Sequence, residues 1–361
     1  MTTVRSRLRV SAVAVAAAAV VLAGCATPPP PGSAAGPGSG DGFRPCLVGD
    51  AGGFDDKSFN QAGYEGVTEA AAELKVEAIT VESTSDADYT PNVQSLLSQG
   101  CDIIVSAGYL LADATRAAAE ASPDTMFAIS DDNSIDLPNV KPIVFETSEA
   151  AFLAGYAAAS HSKSGVVGTY GGMQIPSVTI FMDGFAEGVD HYNQEKSASV
   201  EVVGWNVEAQ TGSFTGGFAA GVESKTAAQG LIDQGADVIM AVGGPIFLSA
   251  GEAIRDAGKD IALVGVDSDN YETATELKDL FLTSVLKGVK VGVAEAVTAA
   301  DDGTFSNEPF VGTLENGGVG IAPFHDFADD VDPELQNELD AITQAIIDGD
   351  IVVESPSSLL D

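Results

Sequence analysis

The chain is poor in positive charge, in histidine and in sulfur. Its 361 residues hold 16 Lys and Arg against 53 Asp and Glu, a formal net charge of −37, so nucleic acid and anionic lipid are poor partners for its surface. A small neutral or cationic ligand is acceptable to it. Only three histidines occur, and His161, His191 and His325 fall in polar helical or late loop stretches where a nucleophilic triad has no use for them. No G-x-S-x-G, H-E-x-x-H, C-x-x-C or Walker pattern is present, and the glycine-rich GGFDD at residues 52–56 lacks the G-x-G-x-x-G spacing. Paired acids such as Asp131 and Asp132 are all that a hydrolase would have to work with. The composition therefore points away from an enzyme, and neither a cofactor nor a metal is expected.

Long apolar runs are scarce too. The one near the N-terminus, residues 10–21, follows Arg5, Arg7 and Arg9 and is shorter than the roughly 20 residues that a spanning helix needs. It reads as a secretion signal. Ala23 and Gly24 stand before Cys25 in LAGC, which resembles a lipobox; residues 1–24 are then a lipoprotein signal peptide and Cys25 the lipidated first residue of the mature chain. Residues 25–42 are dense in Pro, Gly and Ser without apolar periodicity, as in an extended tether. Loss of three Arg with the signal leaves 13 basic residues against 53 acidic ones, a net of about −40. The expected location is the extracytoplasmic face of the cell membrane, held there by lipid.

Two cysteines remain in the folded part, Cys46 and Cys101, each just before an apolar run. An even pair in an oxidising compartment suggests a disulfide. If the first and third strands are neighbours, as in the common 2-1-3-4-5 order, both sulfurs lie at one sheet edge.

From residue 43 onward about 319 residues remain, enough for two lobes. Strand-length apolar runs at 43–49, 76–81, 102–107, 126–130 and 143–145 alternate with helical stretches at 61–74, 91–99 and 111–121. The rhythm restarts with strands at 165–170, 200–205, 237–242 and 261–266 and helices at 178–192, 218–234 and 247–257. Continuous apolar strands with helical crossovers mean parallel sheets covered on both faces, hence two α/β lobes. Residues 149–160 are expected to cross into the second lobe, 280–287 and 292–300 to return to the first, and 311–322 to lie in the second again. The lobes are then 43–148 with 275–308, and 149–274 with 309–355.

In open parallel sheets the ligand crevice lies at the carboxyl ends of the strands. The loops expected there carry Asp50 with Gly52 and Gly53, then SFNQAGYEG, in which Ser58 can cap a helix. Others carry Gly108 and Tyr109, SDDN at 130–133, GGMQIP at 171–176, TGSF at 211–214, GGP at 243–245 and GVDSDN at 265–270. Acids and rings converge on one cleft. Asp55 and Asp56, beside Lys57, read as solvated.

The ordered run GDAGGFDDKSFNQAGYEG, FAISDD, FETSEAAFLAGY, GTYGGMQIPSV, GSFTG, ADVIMAVGG, GVDSDN and TSVLKGV resembles the basic membrane protein (BMP) family of substrate-binding lipoproteins, which includes purine nucleoside receptors of ABC transporters. The resemblance runs from about residue 43 to 355 and implies a type I periplasmic-binding-protein fold whose two lobes close on a nucleoside. It implies that Phe59 and Phe214 sandwich the base, that Asp50, Asn60 and Asp131 flank it, and that Asp267 and Lys287 hold the sugar or order its neighbours. Gly243 and Gly244 let backbone amides approach the ligand. Read without the resemblance, Asp50 serves equally as a loop cap, Phe59 as a core residue, Asn60 as a helix-start residue and Lys287 as a surface ion-pair partner.

The partners implied are a nucleoside, an ABC permease with its ATPase, and the membrane through the lipid anchor, with the receptor itself a monomer. A ribose-like sugar is the alternative ligand, since acids and rings serve sugars too, and a ligand-sensing receptor subunit of the same fold is the alternative role.

Overall fold

The computed structural model describes residues 42–360. The signal segment, Cys25 and nearly all of the tether expected before Phe43 lie outside the described residues. The strands, in chain order, are β1 (Pro45–Gly49), β2 (Ile79–Glu82), β3 (Ile103–Ala107), β4 (Met126–Ser130), β5 (Val140–Phe145), β6 (Val166–Gly171), β7 (Glu201–Val203), β8 (Trp205–Asn206), β9 (Thr211–Gly212), β10 (Val238–Val242), β11 (Ala262–Asp267), β12 (Phe281–Lys287), β13 (Phe310–Gly312) and β14 (Val319–Ile321). The helices are α1 (Phe59–Leu74), α2 (Tyr89–Ser98), α3 (Ala112–Ala121), α4 (Thr147–His161), α5 (Pro176–Lys196), α6 (Val222–Asp233), α7 (Ile246–Ala257), the single turn α8 (Asn270–Thr273), α9 (Val289–Asp301) and α10 (Leu335–Ile347).

Two six-stranded sheets result, ordered β2-β1-β3-β4-β5-β13 and β7-β6-β10-β11-β12-β14, with β8 and β9 forming a small hairpin. All pairings within the first sheet are parallel, and in the second only the β12–β14 edge is antiparallel. Helices cover both faces, so β1, β3, β10 and β11 are buried along their whole length. That burial is why they read as unbroken apolar runs rather than as alternating ones. Because β1 and β3 are neighbours, Cys46 and Cys101 come within a Cα–Cα distance of 6.0 Å and are disulfide-bonded.

Two strands sit elsewhere than their sequence suggests. β12, expected in the first lobe, pairs with β11 in parallel register from Leu263↔Phe281 to Asp267↔Leu286 and belongs to the second sheet. β13, expected in the second lobe, pairs with β5 through Phe310↔Ile143 and belongs to the first. The chain therefore crosses between sheets after Phe145, at Gly288 and between Gly312 and Val319, not at the boundaries 274/275 and 308/309. A strand's own apolar pattern cannot specify which sheet it joins; the backbone ladder and the helix that follows do. α9 does pack on α1, as expected of residues 292–300, with Gly66 of α1 against the Lys290 carbonyl.

α4 is buried from Thr147 to Ala159 except at half-buried Glu149. Such a helix needs a neighbour of unusually close approach. α5 supplies it: a Cβ at Gly184 would stand 2.2 Å from the Ser148 carbonyl oxygen, and one at Gly188 2.0 Å from that of Phe152. The two backbones touch where side chains would hold them apart. This pair forms the inner layer of the second lobe, and β6, β12 and β14 close over it.

Candidate functional site

A cleft opens between the carboxyl ends of the two sheets. Its walls enclose about 490 Å³ of empty space, including the part open to solvent. It is narrow because the lobes already touch. Asp50, Phe59, Asn60, Asp131, Gly243, Gly244, Asp267 and Lys287, all expected at the site, line it together with Gly108, Tyr109, Phe181 and Phe218.

The first wall grows from the end of β1. Asp50 Oδ1 accepts from Asn60 Nδ2 at 2.8 Å and from the Gly52 amide at 3.1 Å. Its Oδ2 accepts nothing from the described residues and lies so close to Gly108 that a Cβ there would stand 2.7 Å away. Burial pushes the Asp50 carboxyl up to about 6, against the pull of the Asn60 and Gly52 bonds, and the charges of Asp56 and Asp131 add to the rise.

Asp56, read from the sequence as solvated, is buried. It caps α1: Oδ1 accepts from the Ser58 and Gln61 amides at 2.9 and 3.0 Å, and Oδ2 from the Asn60 amide at 2.8 Å. Four orphan amides at a helix start call for such an acceptor. Ser58, the residue expected to cap, makes no cap bond. Its hydroxyl lies across the cleft instead, 2.9 Å from the Val266 carbonyl and 2.8 Å from Asp267 Oδ2. One side chain away, Lys57 pairs with exposed Asp55, and its carbonyl accepts from Asn270 Nδ2 at 2.9 Å and Thr273 Oγ1 at 2.7 Å. The first-lobe loop thereby docks on α8 of the second lobe.

The two sheets contribute an acid each in the same way. Asp131 follows β4 and Asp267 ends β11, and these are the fourth strands of their sheets counted from β2 and β7. Both residues hold the left-handed backbone conformation, φ 62° and 66°, sparsely populated by side chains other than glycine. The turn aims both carboxylates at Lys287, which ends β12: Nζ lies 2.8 Å from Asp131 Oδ2 and 3.2 Å from Asp267 Oδ1. The ion triad bridges the lobes. Nζ also stands 4.7 Å from the ring centroid of Phe59, 5.2 Å from that of Phe181 and 5.7 Å from that of Phe145, within cation–π range.

Burial works against the Lys287 ammonium, but the two carboxylates outweigh it and hold its pKa above the ordinary lysine range. Burial also lifts Asp131 above the ordinary carboxylate range, although the Lys287 ammonium pulls it back. One ammonium faces four buried carboxyls, Asp50, Asp56, Asp131 and Asp267. The cleft therefore keeps an excess of negative charge and repels anionic ligands.

Phe214 is not in the cleft. Gly171, at the end of β6, bridges it in strand fashion, and its ring meets Trp205 edge-on at 5.9 Å and 86°. The strand-like ladder from residue 213 to 217 holds Phe214 beside Gly171 and Trp205. Phe181, from the buried face of α5, and Phe218 line the cleft in its place. Phe218 was missed because GFAAGVESKTAAQ reads as one helix, whereas α6 begins only at Val222. Gly221 was the available signal: glycine is a poor helix interior residue and stops the helical run there.

Among the described residues no helix is long and apolar enough to cross a membrane. A family model described as Bmp, ABC transporter substrate-binding protein PnrA-like, matches residues 46–356. The chain is similar to the ABC transporter nucleoside-binding protein BmpA of Lactococcus lactis subsp. cremoris, 30% identical over 329 residues that cover 86% of this chain and 89% of the relative. It is also similar to basic membrane protein A of Borreliella burgdorferi, 29% identical over 310 residues, 84% of this chain and 86% of that one. Among solved structures it resembles an ABC transporter solute-binding protein from Aeropyrum pernix K1, with a TM-score of 0.77, 25% identity, and 87% of this chain and 94% of the other covered. Two parallel-sheet lobes with their ligand-lining residues at the strand ends are the architecture of solute-binding proteins, and the chain belongs to the Bmp family of ABC transporter substrate-binding proteins.

Proposed function

We propose that the chain is the nucleoside receptor of an ABC importer, tethered outside the cytoplasm by a lipid on Cys25, and that it closes its two lobes on a purine nucleoside for delivery to the permease. The observation that carries this reading is a flat ring with two polar sets of different chemistry in one cleft. Asp50 and Asn60, which line the cleft with Phe59, offer acceptors and an amide, which suit a base with N–H donors. Asp131, Asp267 and Lys287, whose Nζ stands 4.7 Å from the Phe59 ring centroid, offer two carboxylates and an ammonium, which suit the vicinal hydroxyls of a ribose as acceptors and donor.

The excess of carboxyls sets the charge of the ligand. A 5′-phosphate would enter a cleft of four acids and one lysine and is rejected; a neutral nucleoside is not. Closure follows from contacts made to both lobes, since a ligand shifts a conformational equilibrium only by its differential affinity for the two states. A tether from Cys25 to residue 42 keeps the receptor at high effective concentration near its membrane partners. Removal of the thiol by Cys25→Ser is expected to abolish acyl labelling and release the protein into the medium.

Titration calorimetry of the mature protein against adenosine, inosine, uridine, free bases, D-ribose and adenosine 5′-monophosphate tests the proposal. Tight binding of purine nucleosides, with the monophosphate at least a hundredfold weaker, supports it. Ribose binding as tightly as the nucleosides would instead establish the sugar reading, and binding of none of them would remove both.

A further inference from the structure

We propose that Asn316 is a site of spontaneous covalent modification: its amide cyclises onto the Gly317 nitrogen and hydrolyses to an acid, and the change loosens the junction that joins the two lobes.

The three crossings between the sheets meet in backbone contact. The Glu146 amide, just after β5, donates to the Gly312 carbonyl at 2.8 Å, and the Gly288 amide, just after β12, donates to the Gly318 carbonyl at 2.8 Å. Gly312 and Gly318 bound the third crossing, and they lie so close that a Cβ at Gly318 would stand 2.3 Å from the Gly312 Cα. The first and second crossings are thus tied to the two ends of the third. Whatever shapes residues 313–318 sets how all three sit together.

Asn316 shapes them. Its Oδ1 accepts from the Thr313 amide at 2.8 Å and the Gly318 amide at 2.9 Å, and its Nδ2 donates to the Val311 carbonyl at 2.7 Å. One side chain therefore ties β13 to the residue that precedes β14. Backbone bonds from Gly318 and Val319 to the Thr313 carbonyl, at 2.9 and 3.2 Å, close the same turn.

These contacts also suit the chemistry. Asn316 and Gly317 are the one Asn–Gly pair in the sequence, every other asparagine being followed by a residue with a side chain, and both are exposed to water. Cyclisation begins when the nitrogen of the next residue attacks Cγ, and negative charge then develops on Oδ1. Two backbone amides already donate to that oxygen, the arrangement that stabilises an oxyanion in acyl transfer. Gly317 has open space around it and no side chain to block the approach, and its amide is engaged only by a long bond of 3.3 Å to the Leu314 carbonyl.

Water is the only co-reactant. A bond forms between the Gly317 nitrogen and Asn316 Cγ, the Cγ–Nδ2 bond breaks, and Nδ2 leaves as ammonia with the Gly317 amide proton. Water then opens the cyclic imide at one of its two carbonyls. Opening at Cγ leaves aspartate; opening at the main-chain carbonyl leaves isoaspartate, in which the backbone runs through Cβ and Cγ. Nothing is oxidised or reduced. Either product lacks the N–H that the Val311 carbonyl accepted and sets an anionic oxygen against it, and isoaspartate also lengthens the backbone between Thr313 and Gly318.

The test is incubation of the full mature chain at mildly alkaline pH, followed by digestion and mass spectrometry of every asparagine-containing peptide, with aspartate and isoaspartate separated by chromatography. Asn316 is expected to convert before any other asparagine, to give both products, and to convert about tenfold more slowly or less in Gly317→Ala. Circular dichroism verifies that the alanine variant folds; if it does not, isoaspartate in the wild type carries the test, since direct hydrolysis of the amide cannot produce it. The converted protein and Asn316→Asp are both expected to show a lower urea midpoint and, by small-angle X-ray scattering without ligand, a larger radius of gyration than fresh wild type. Asn316 intact after another asparagine has converted, or aspartate formed with no isoaspartate, would overturn the site. A converted protein with the midpoint and radius of fresh wild type would overturn its effect on the junction. No ligand enters these measurements, so they leave the nucleoside reading to its own test.

Discussion

Removing the ammonium from the centre of the interlobe triad is the perturbation whose consequence is most sharply defined. In Lys287→Met the side chain keeps its length and apolar bulk, and the carboxylates of Asp131 and Asp267, 2.8 and 3.2 Å from Nζ, lose their counter-charge while remaining 7% exposed. Breaking a buried pair by deleting one member costs about 3–5 kcal/mol, because the remaining charge is desolvated and uncompensated. The loss should depend on pH with a definite sign. Burial already lifts Asp131 in the presence of Lys287, and without the lysine its folded-state pKa rises further above the unfolded value of about 3.9. The folded variant then binds more protons than the unfolded chain, so its deficit is largest above neutrality and shrinks as the pH falls toward about 4. Urea unfolding of wild type and variant, followed by Trp205 fluorescence and circular dichroism at pH 8 and pH 5, measures both quantities. Asp131→Asn in the same chain should restore part of the stability. A deficit below about 1 kcal/mol that is the same at both pH values would refute the triad as described.

Three further outcomes follow from other parts of the molecule. Asp50, pushed up to about 6 by burial, binds protons in the folded state that the unfolded chain has already released; its contribution to stability is therefore present at acid pH and falls by about 3 kcal/mol as pH rises from about 4 to above 6. Asp50→Asn should flatten this part of the stability profile; under the proposed function, in which the ionised carboxylate accepts from the ligand, nucleoside affinity should fall about tenfold per pH unit below pH 6 in wild type only. The Cys46–Cys101 bond spans a sequence separation of 55; replacing both cysteines by serine should cost about 4 kcal/mol by the chain-entropy relation, read as a lower urea midpoint. Gly188→Ala places a methyl 2.0 Å from the Phe152 carbonyl and must spread α4 from α5, for which a loss of about 2 kcal/mol or more in the same unfolding experiment is expected.

The alternation of strands and helices was legible because both lobes bury their sheets on two faces, so that each central strand is a short apolar run of its own, as β3 (IIVSA) and β10 (VIMAV) are. The loops that follow them announced the cleft, since the carboxyl end of a parallel strand is where Asp50, Asp131 and Asp267 had to be. What the sequence withheld was partnership. LFLTSVLK and FVG look alike as strands, and only the β11 and β5 ladders decide which sheet each joins. Asp56 looked solvated beside Lys57, yet Lys57 adopts φ 62° and pairs with Asp55, while Asp56 faces the helix start. Phe214 and Phe218 are four residues apart in a glycine-rich stretch; the Gly171–Phe214 bridge that separates their directions is a tertiary contact with no trace in composition.

A crystal structure of the mature protein with adenosine bound addresses the central claim most directly. The base should rest on Phe59 beside Asp50 and Asn60, with the ribose hydroxyls on Asp131, Asp267 and Lys287 and both lobes in contact with the ligand. A nucleoside bound outside this cleft, or one reversed so that its ribose lies on Phe59 and its base among the carboxylates around Lys287, would contradict the account.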